Sequence, residues 1–89
     1  MRQQMNAPVS VIWKYDNRTN QITLIKIRYD GTEYKIVRIG LHYTEWEGRT
    51  LRHIFCCAGD SCFFKLALDT KTLFWTLEEF RNYAHHLVE

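Results

Sequence analysis

The stretch from Ile22 to Ile39, ITLIKIRYDGTEYKIVRI, constrains the fold more than any other part of the chain, because it carries its own turn. Two runs rich in Ile, Val, Thr and Tyr flank Asp30-Gly31. An Asp-Gly pair in that setting supplies the two positive-φ residues that a type I′ hairpin turn requires. Opposed residues in a hairpin keep a constant sum of numbers. Tyr29 facing Thr32 therefore sets Arg28 against Glu33, Ile27 against Tyr34, Lys26 against Lys35 and Ile25 against Ile36, and then Leu24 against Val37, Thr23 against Arg38 and Ile22 against Ile39. In that register the apolar residues near the turn, Ile25, Ile27, Tyr29, Tyr34 and Ile36, share one face. Those at the far end, Ile22, Leu24, Val37 and Ile39, share the other. One flat sheet cannot bury both sets, so we expect a coiled ribbon of the kind that lines a small barrel.

The rest of the chain reads as further strands. Residues 1–8 show no periodicity and are expected to be loose, so the domain is placed at 9–88. In VSVIWKY, residues 9–15, Val9, Val11, Trp13 and Tyr15 alternate with Ser10, Ile12 and Lys14, the period of a half-buried strand. DNRTN at 16–20 is a turn by composition, and Gly40 marks a bulge or corner before LHYTEW at 41–46. A second hairpin through Glu47-Gly48 would set Trp46 against Arg49, Thr44 against Leu51 and His42 against His53. Ala58–Ser61 then leads into CFFKLAL at 62–68, and Asp69–Thr72 into a short strand at Leu73–Trp75. Turns this evenly spaced predict a mainly β fold, a single small antiparallel meander or barrel-like sheet of six or seven strands.

One helix is expected at the C-terminus. Thr76-Leu77-Glu78-Glu79 fits a capping box, and Leu77, Phe80, Tyr83, Ala84 and Leu87 recur at helical spacing, so a helix from Leu77 to about Val88 would cover an open end of the barrel. The competing reading continues the last strand through Leu77, because LFWTL also alternates.

With 89 residues, 46% hydrophobic and 25% charged, the chain has the composition of one ordered domain with a modest core. No apolar stretch approaches the roughly 20 residues of a membrane-spanning helix. Three cysteines, Cys56, Cys57 and Cys62, are an odd count with two adjacent, which suits a reducing compartment. A cytoplasmic protein without membrane contact is expected.

The charge is uneven: residues 1–44 carry seven Lys and Arg against three Asp and Glu, and residues 45–89 carry five against seven. Lys26, Arg28 and Lys35 fall on one side of the hairpin, and Trp13, Tyr15, Tyr43 and Trp46 lie on strands interleaved with Lys14, Arg38 and Arg52. Basic residues beside flat rings on a β-surface are how OB-type barrels hold single-stranded nucleic acid. A solvated strand face carries the same cations, and Tyr, Trp and Arg also anchor protein interfaces. The candidate binding residues are Lys26, Arg28, Lys35, Arg38, Trp13, Tyr15 and Trp46. His53 with the three cysteines lacks the spacing of a zinc knuckle, because adjacent strand residues point to opposite faces. A tight turn at Gly59-Asp60 would make Cys57 and Cys62 neighbours. No phosphate cradle, nucleophile elbow or metal-protease motif is present in the sequence, and neither a cofactor, a metal nor a catalytic residue is assigned. The function expected is that of a non-enzymatic binding module. Its partner would be nucleic acid or a DNA-processing protein, or alternatively it is a protein-interaction or homo-oligomerisation domain.

The run IRYDGTEYKIVRI, followed by HIF at 53–55, FFKL at 63–66 and FWTLEE at 74–79, resembles a family of short, uncharacterised bacterial β-domains, some of them attached to translesion-type DNA repair polymerases. The resemblance spans about residues 9–79 and rests on turn and core residues. It implies an association with DNA-processing machinery and carries over no site residue.

Overall fold

The structure is a computed structural model that describes residues 2–82. Eight strands form in chain order: β1 (Arg2–Pro8), β2 (Ser10–Asp16), β3 (Gln21–Tyr29), β4 (Thr32–Lys35), β5 (Arg38–Glu47), β6 (Thr50–Ala58), β7 (Cys62–Asp69) and β8 (Trp75–Asn82). They make two antiparallel sheets, one of five strands in the order β1-β8-β7-β6-β5 and one of three in the order β2-β3-β4. Residues 2–8 of the opening segment, expected to be loose, thus form the strand β1, paired with β8.

The central hairpin forms around the turn that its sequence encodes. Asp30 and Gly31 have φ of 54° and 79°, and the pairs run from Tyr29–Thr32 to Lys26–Lys35 as the constant sum requires. Beyond that point the ribbon ends. Ile36 donates one more bond, to the Ile25 carbonyl, and Val37 then donates to the Ala58 carbonyl in the other sheet. The chain changes sheets within two residues, and the pairs expected from Leu24–Val37 onward do not form. Val9 makes the other corner, its N–H bonding to the Trp75 carbonyl between β1 and β2. The two sheets are therefore joined by bent chain at two corners and do not close into a barrel.

The change of apolar face along the central hairpin has a second cause. Ile12 pairs with Lys26 but Trp13 pairs with Leu24, so Ile25 is an extra residue on β3. This bulge shifts the alternation by one, and Ile22, Leu24, Ile27 and Tyr29 all face the core while Ile25 is exposed. A local bulge accomplishes what the sequence reading assigned to coiling.

The core lies between the sheets. Leu24, Ile27 and Ile36 from the small sheet meet Phe55, Cys57, Phe64, Leu66, Leu68, Trp75 and Leu77 from the large one, with Phe55, Phe64, Leu66 and Leu77 fully buried. Each such side chain contributes about 1.5–3 kcal/mol by leaving water. Aromatic edges bridge the layers: Trp13 meets Trp75 at 5.9 Å and Tyr34 meets Phe64 at 5.6 Å, both edge-on.

The expected C-terminal helix is not formed in the described residues. Residues 75–82 are β8, and the remainder of that expectation, residues 83–88, lies outside the described region. Lys65 pairs with Glu79 and Leu66 with Leu77, which leaves Glu78 as an extra residue and brings Leu77 and Phe80 to the same face three positions apart. The spacing that suggested a helical stripe is a bulged strand. Gly40 does mark a bulge, between Ile39 and Leu41. The β5–β6 hairpin turns at Gly48-Arg49, with Gly48 at φ 61°, and so pairs Trp46 with Leu51 and Thr44 with His53, two residues away from the expected register.

Candidate functional site

Alternation and the Asp30-Gly31 turn place Lys26, Arg28, Glu33 and Lys35 together on the outer face of the three-stranded sheet. Pairing of β2 with β3 adds Ser10, Ile12 and Lys14 to that face. Glu33 divides the basic patch. Its Oε1 accepts from Lys26 Nζ at 3.2 Å and its Oε2 from Arg28 at 3.0 Å, and these bonds, Arg28 first, hold its carboxyl below the usual carboxylate range. Ser10, Ile12, Lys26, Arg28 and Glu33 rim a shallow recess of about 330 Å³. Four cations against the carboxylates of Glu33 and of Asp16, at the end of β2, leave the face net positive.

The aromatic members of the expected site lie elsewhere. Trp13 points inward onto Trp75. Tyr15, on the same side of β2 as Trp13, is exposed at the β2–β3 end, where its hydroxyl bonds Asn20. Trp46 is 69% exposed near the far end of β5, in the other sheet. Arg38 begins β5 at the corner, and since its neighbour Ile39 packs on the core, Arg38 points away from it. Thus Lys26, Arg28 and Lys35 are brought together, whereas Trp13, Tyr15, Trp46 and Arg38 do not join them. The alternation of β2 held the signal: Trp13 and Tyr15 occupy one side, and Ser10, Ile12 and Lys14 the other.

His42 and His53 come together diagonally, although Phe55 is the residue opposite His42. His42 Nε2 lies 2.8 Å from His53 Nδ1, and the His42 ring stacks on Phe55 at 4.2 Å. Burial first, and then the charge on His53, push the His42 pKa below its ordinary value. The pair borders a recess of about 710 Å³ with Tyr15, Asn20, Gln21, Ile22 and Ile39. Burial pushes all three cysteine thiols up, Cys57 to about 12, so at neutral pH they are protonated and poor nucleophiles. Cys57 lies opposite Phe64 and not Cys62, and all three thiols are free. Among the described residues no three His, Cys, Asp or Glu side chains are placed to hold one metal ion.

Compared with family models, curated proteins and solved structures, the chain matches none.

Sequence reasoning placed Trp46 on a strand but missed what that strand is. β5, ten residues long, forms one edge of the five-stranded sheet and pairs only with β6 among the described strands. Leu41, Tyr43 and Trp46 are exposed along it, and Val37 is exposed just before it. Its far end is acidic: Arg52 on β6 bonds Glu45 and Glu78, the latter at 2.7 Å, and lies 3.7 Å from Glu47. Arg52 holds these carboxylates in place, and they in turn raise its pKa. A one-residue error in the β5–β6 turn, together with a sheet switch made at Val37 where the corner was expected at Gly40, had hidden this edge.

Proposed function

We propose that the chain is a non-enzymatic binding module that takes a protein partner along the free edge of β5. One observation carries this reading: the longest strand of the fold stands at a sheet edge with Leu41, Tyr43 and Trp46 exposed on it. An edge strand offers a row of backbone donors and acceptors, and exposed aromatic and aliphatic side chains beside them are what an added strand reads. Proteins that keep such an edge idle blunt it with charge, Pro or bulges. β5 contains no Lys or Pro, and its bulge at Gly40 and its charges at Arg38, Glu45 and Glu47 leave the stretch from Leu41 to Thr44 regular and without Lys, Arg, Asp or Glu. The resemblance to β-domains attached to repair polymerases makes a DNA-processing protein the first partner class to try.

Selection of displayed ten-residue peptides tests the reading, using the parent chain and a Leu41→Lys/Tyr43→Lys variant of unchanged fold. Enrichment of alternating apolar sequences on the parent alone supports it. Equal enrichment on both chains, or none, removes it.

A second reading rests on the outer face of the small sheet, where Lys14, Lys26, Arg28 and Lys35 outnumber Glu33 and Asp16. Such a face would hold an anionic backbone without stacking bases, since Trp13 and Tyr15 lie on the other side of β2. Fluorescence anisotropy with single-stranded and duplex oligonucleotides should then show binding that weakens linearly in log salt. Absence of binding at low salt ends this reading.

A further inference from the structure

We infer that the occupant of the β5 edge is β5 of a second copy of this chain, paired antiparallel about a two-fold axis at His42. This rests on the reading of β5 as the binding edge and names its partner. The strand is polar along its length. Arg38 lies at its start, and Glu45 and Glu47 at its end. Antiparallel association brings the basic start of each copy against the acidic end of the other. Parallel association stacks Arg38 on Arg38 and Glu45 on Glu45, and is disfavoured.

Side-chain complementarity selects the register. A two-fold perpendicular to the sheet requires one residue to face itself. Centred on Tyr43, Leu41 faces Glu45; centred on Thr44, Leu41 faces Glu47 and Tyr43 faces Glu45. Centred on His42, Leu41 faces Tyr43, both exposed and both on the side of the sheet away from the core. The bulge at Gly40 then takes up one residue, so Ile39 faces Thr44, Arg38 faces Glu45 and Val37 faces Trp46. Each pair lies on a common face and occurs twice by symmetry; Leu41–Tyr43 and Val37–Trp46 match apolar with apolar, Arg38–Glu45 matches positive with negative, and Ile39 meets only the uncharged Thr44. Without the bulge Arg38 would point to the wrong side of the sheet. Glu45 has room for this contact: it bonds Arg52 through Oε2, and its side chain is still 42% exposed. Among the described residues Arg38 makes no ion pair within the chain. The dimer would hold a continuous ten-stranded sheet.

Sedimentation equilibrium of the whole chain from micromolar to near-millimolar concentration tests this. The parent should be a reversible dimer. Arg38→Glu and Glu45→Lys should each be monomeric, and an equimolar mixture of the two should associate again, because the mixed pair restores both charge contacts. A mere loss of folding cannot produce that rescue. Should Glu45→Lys fail to fold for want of its Arg52 contact, His42→Cys serves instead. Its new thiol faces its own copy across the axis and should give a cross-linked dimer on mild oxidation, where Arg49→Cys at the turn should not. A parent that stays monomeric throughout, or a dimer untouched by Arg38→Glu, overturns the inference. A fluorescein-labelled peptide of residues 38–47 separates the two levels. Binding of the peptide to a chain that does not dimerise sinks self-pairing and leaves the edge reading standing, and no binding alongside a failed peptide selection sinks both.

Discussion

Lys26 stands directly opposite Lys35 across β3 and β4, and Glu33, two pairs closer to the turn on the same face, bonds Lys26 at 3.2 Å. The like charges are thus shared with an exposed carboxylate that also serves Arg28. This asymmetry gives the two lysines different roles. Lys26→Glu places a second carboxylate beside Glu33, while Lys35→Glu replaces a repelling neighbour of Lys26 with an attracting one. Thermal melts at low salt should rank Lys35→Glu above Lys26→Glu, and added salt should shrink the gap. An equal response in both variants would mean that Glu33 does not discriminate between them.

Gly31→Val should destabilise the fold by about 1–3 kcal/mol, since φ of 79° is a region that a β-branched residue occupies only under strain. Space is not the obstacle: a Cβ at Gly31 meets nothing within 4 Å. Gly31→Asn, which tolerates positive φ, should recover most of the loss in urea titrations. A comparable loss for Asn and Val would place the cause outside backbone strain.

Gly59 presents the opposite case, a glycine required by crowding. A Cβ there would lie 2.9 Å from Cys62 Sγ, 3.0 Å from the Lys35 carbonyl oxygen and 3.3 Å from the Phe64 ring. The Lys35 carbonyl belongs to the other sheet, so Gly59→Ala must push the β6–β7 turn away from the end of β4. A loss of about 1–3 kcal/mol is expected, the range for overpacking a well-filled site. Cys62→Ala in the same chain should relieve only part of it, because the backbone oxygen remains. A melt equal to the parent would show that the corner between the sheets is looser than its geometry.

What could be read from the sequence was what short stretches decide by themselves. Asp30-Gly31 dictates its own turn, and with it the register from Tyr29 to Lys35. Gly40 signalled its bulge, and the recurrence of turns signalled an all-antiparallel fold. Errors arose where one extra residue changes the phase. Ile25 on β3 and Glu78 on β8 are unpaired insertions whose position is set by the strand alongside, and a single sequence carries no mark of them. The step from Leu77 to Phe80 consequently resembled a helical turn. In the second hairpin, both Glu47-Gly48 and Gly48-Arg49 are acceptable turn pairs. The outcome follows from Gly48 taking the first central position, where a type II′ turn needs its positive φ. Lys26, Arg28 and Lys35 share one side of the sheet, as read from the sequence, because their placement depends on that local turn. Trp13 and Tyr15 were lost from the candidate site because strand alternation outranks proximity in sequence, and Trp46 because the chain changes sheets before β5.

Arg52 holds the acidic end of β5 together, with Glu45, Glu47 and Glu78 around a side chain only 16% exposed. Arg52→Ala leaves these carboxylates crowded without a counter-charge and should cost about 2–3 kcal/mol, the scale of lost hydrogen bonds between charged groups. Arg52→Lys keeps the charge but not the fork that reaches Glu45 and Glu78 at once, so it should recover less than half. Chemical denaturation of both variants measures this. A fully rescuing lysine would mean that charge alone, and not geometry, orders the site.

The His42–His53 contact makes the fold sensitive to mild acid, and its sign follows from burial. His42 is stacked on Phe55 beside a second imidazole, so its pKa in the folded chain lies below the ordinary 6.5 that it regains on unfolding. The unfolded chain therefore binds the proton more tightly. Stability from this site is complete above about pH 6.5 and declines as the pH falls through that value, levelling off only below the lowered folded pKa. Melting temperatures between pH 7.5 and 5 should consequently drop for the parent, and less steeply for His42→Gln, which cannot be protonated. The His42 ring proton shifts in NMR should give a midpoint below that of an unfolded peptide. A midpoint above it would reverse the sign, and would show that the pair shares a proton favourably instead of excluding one.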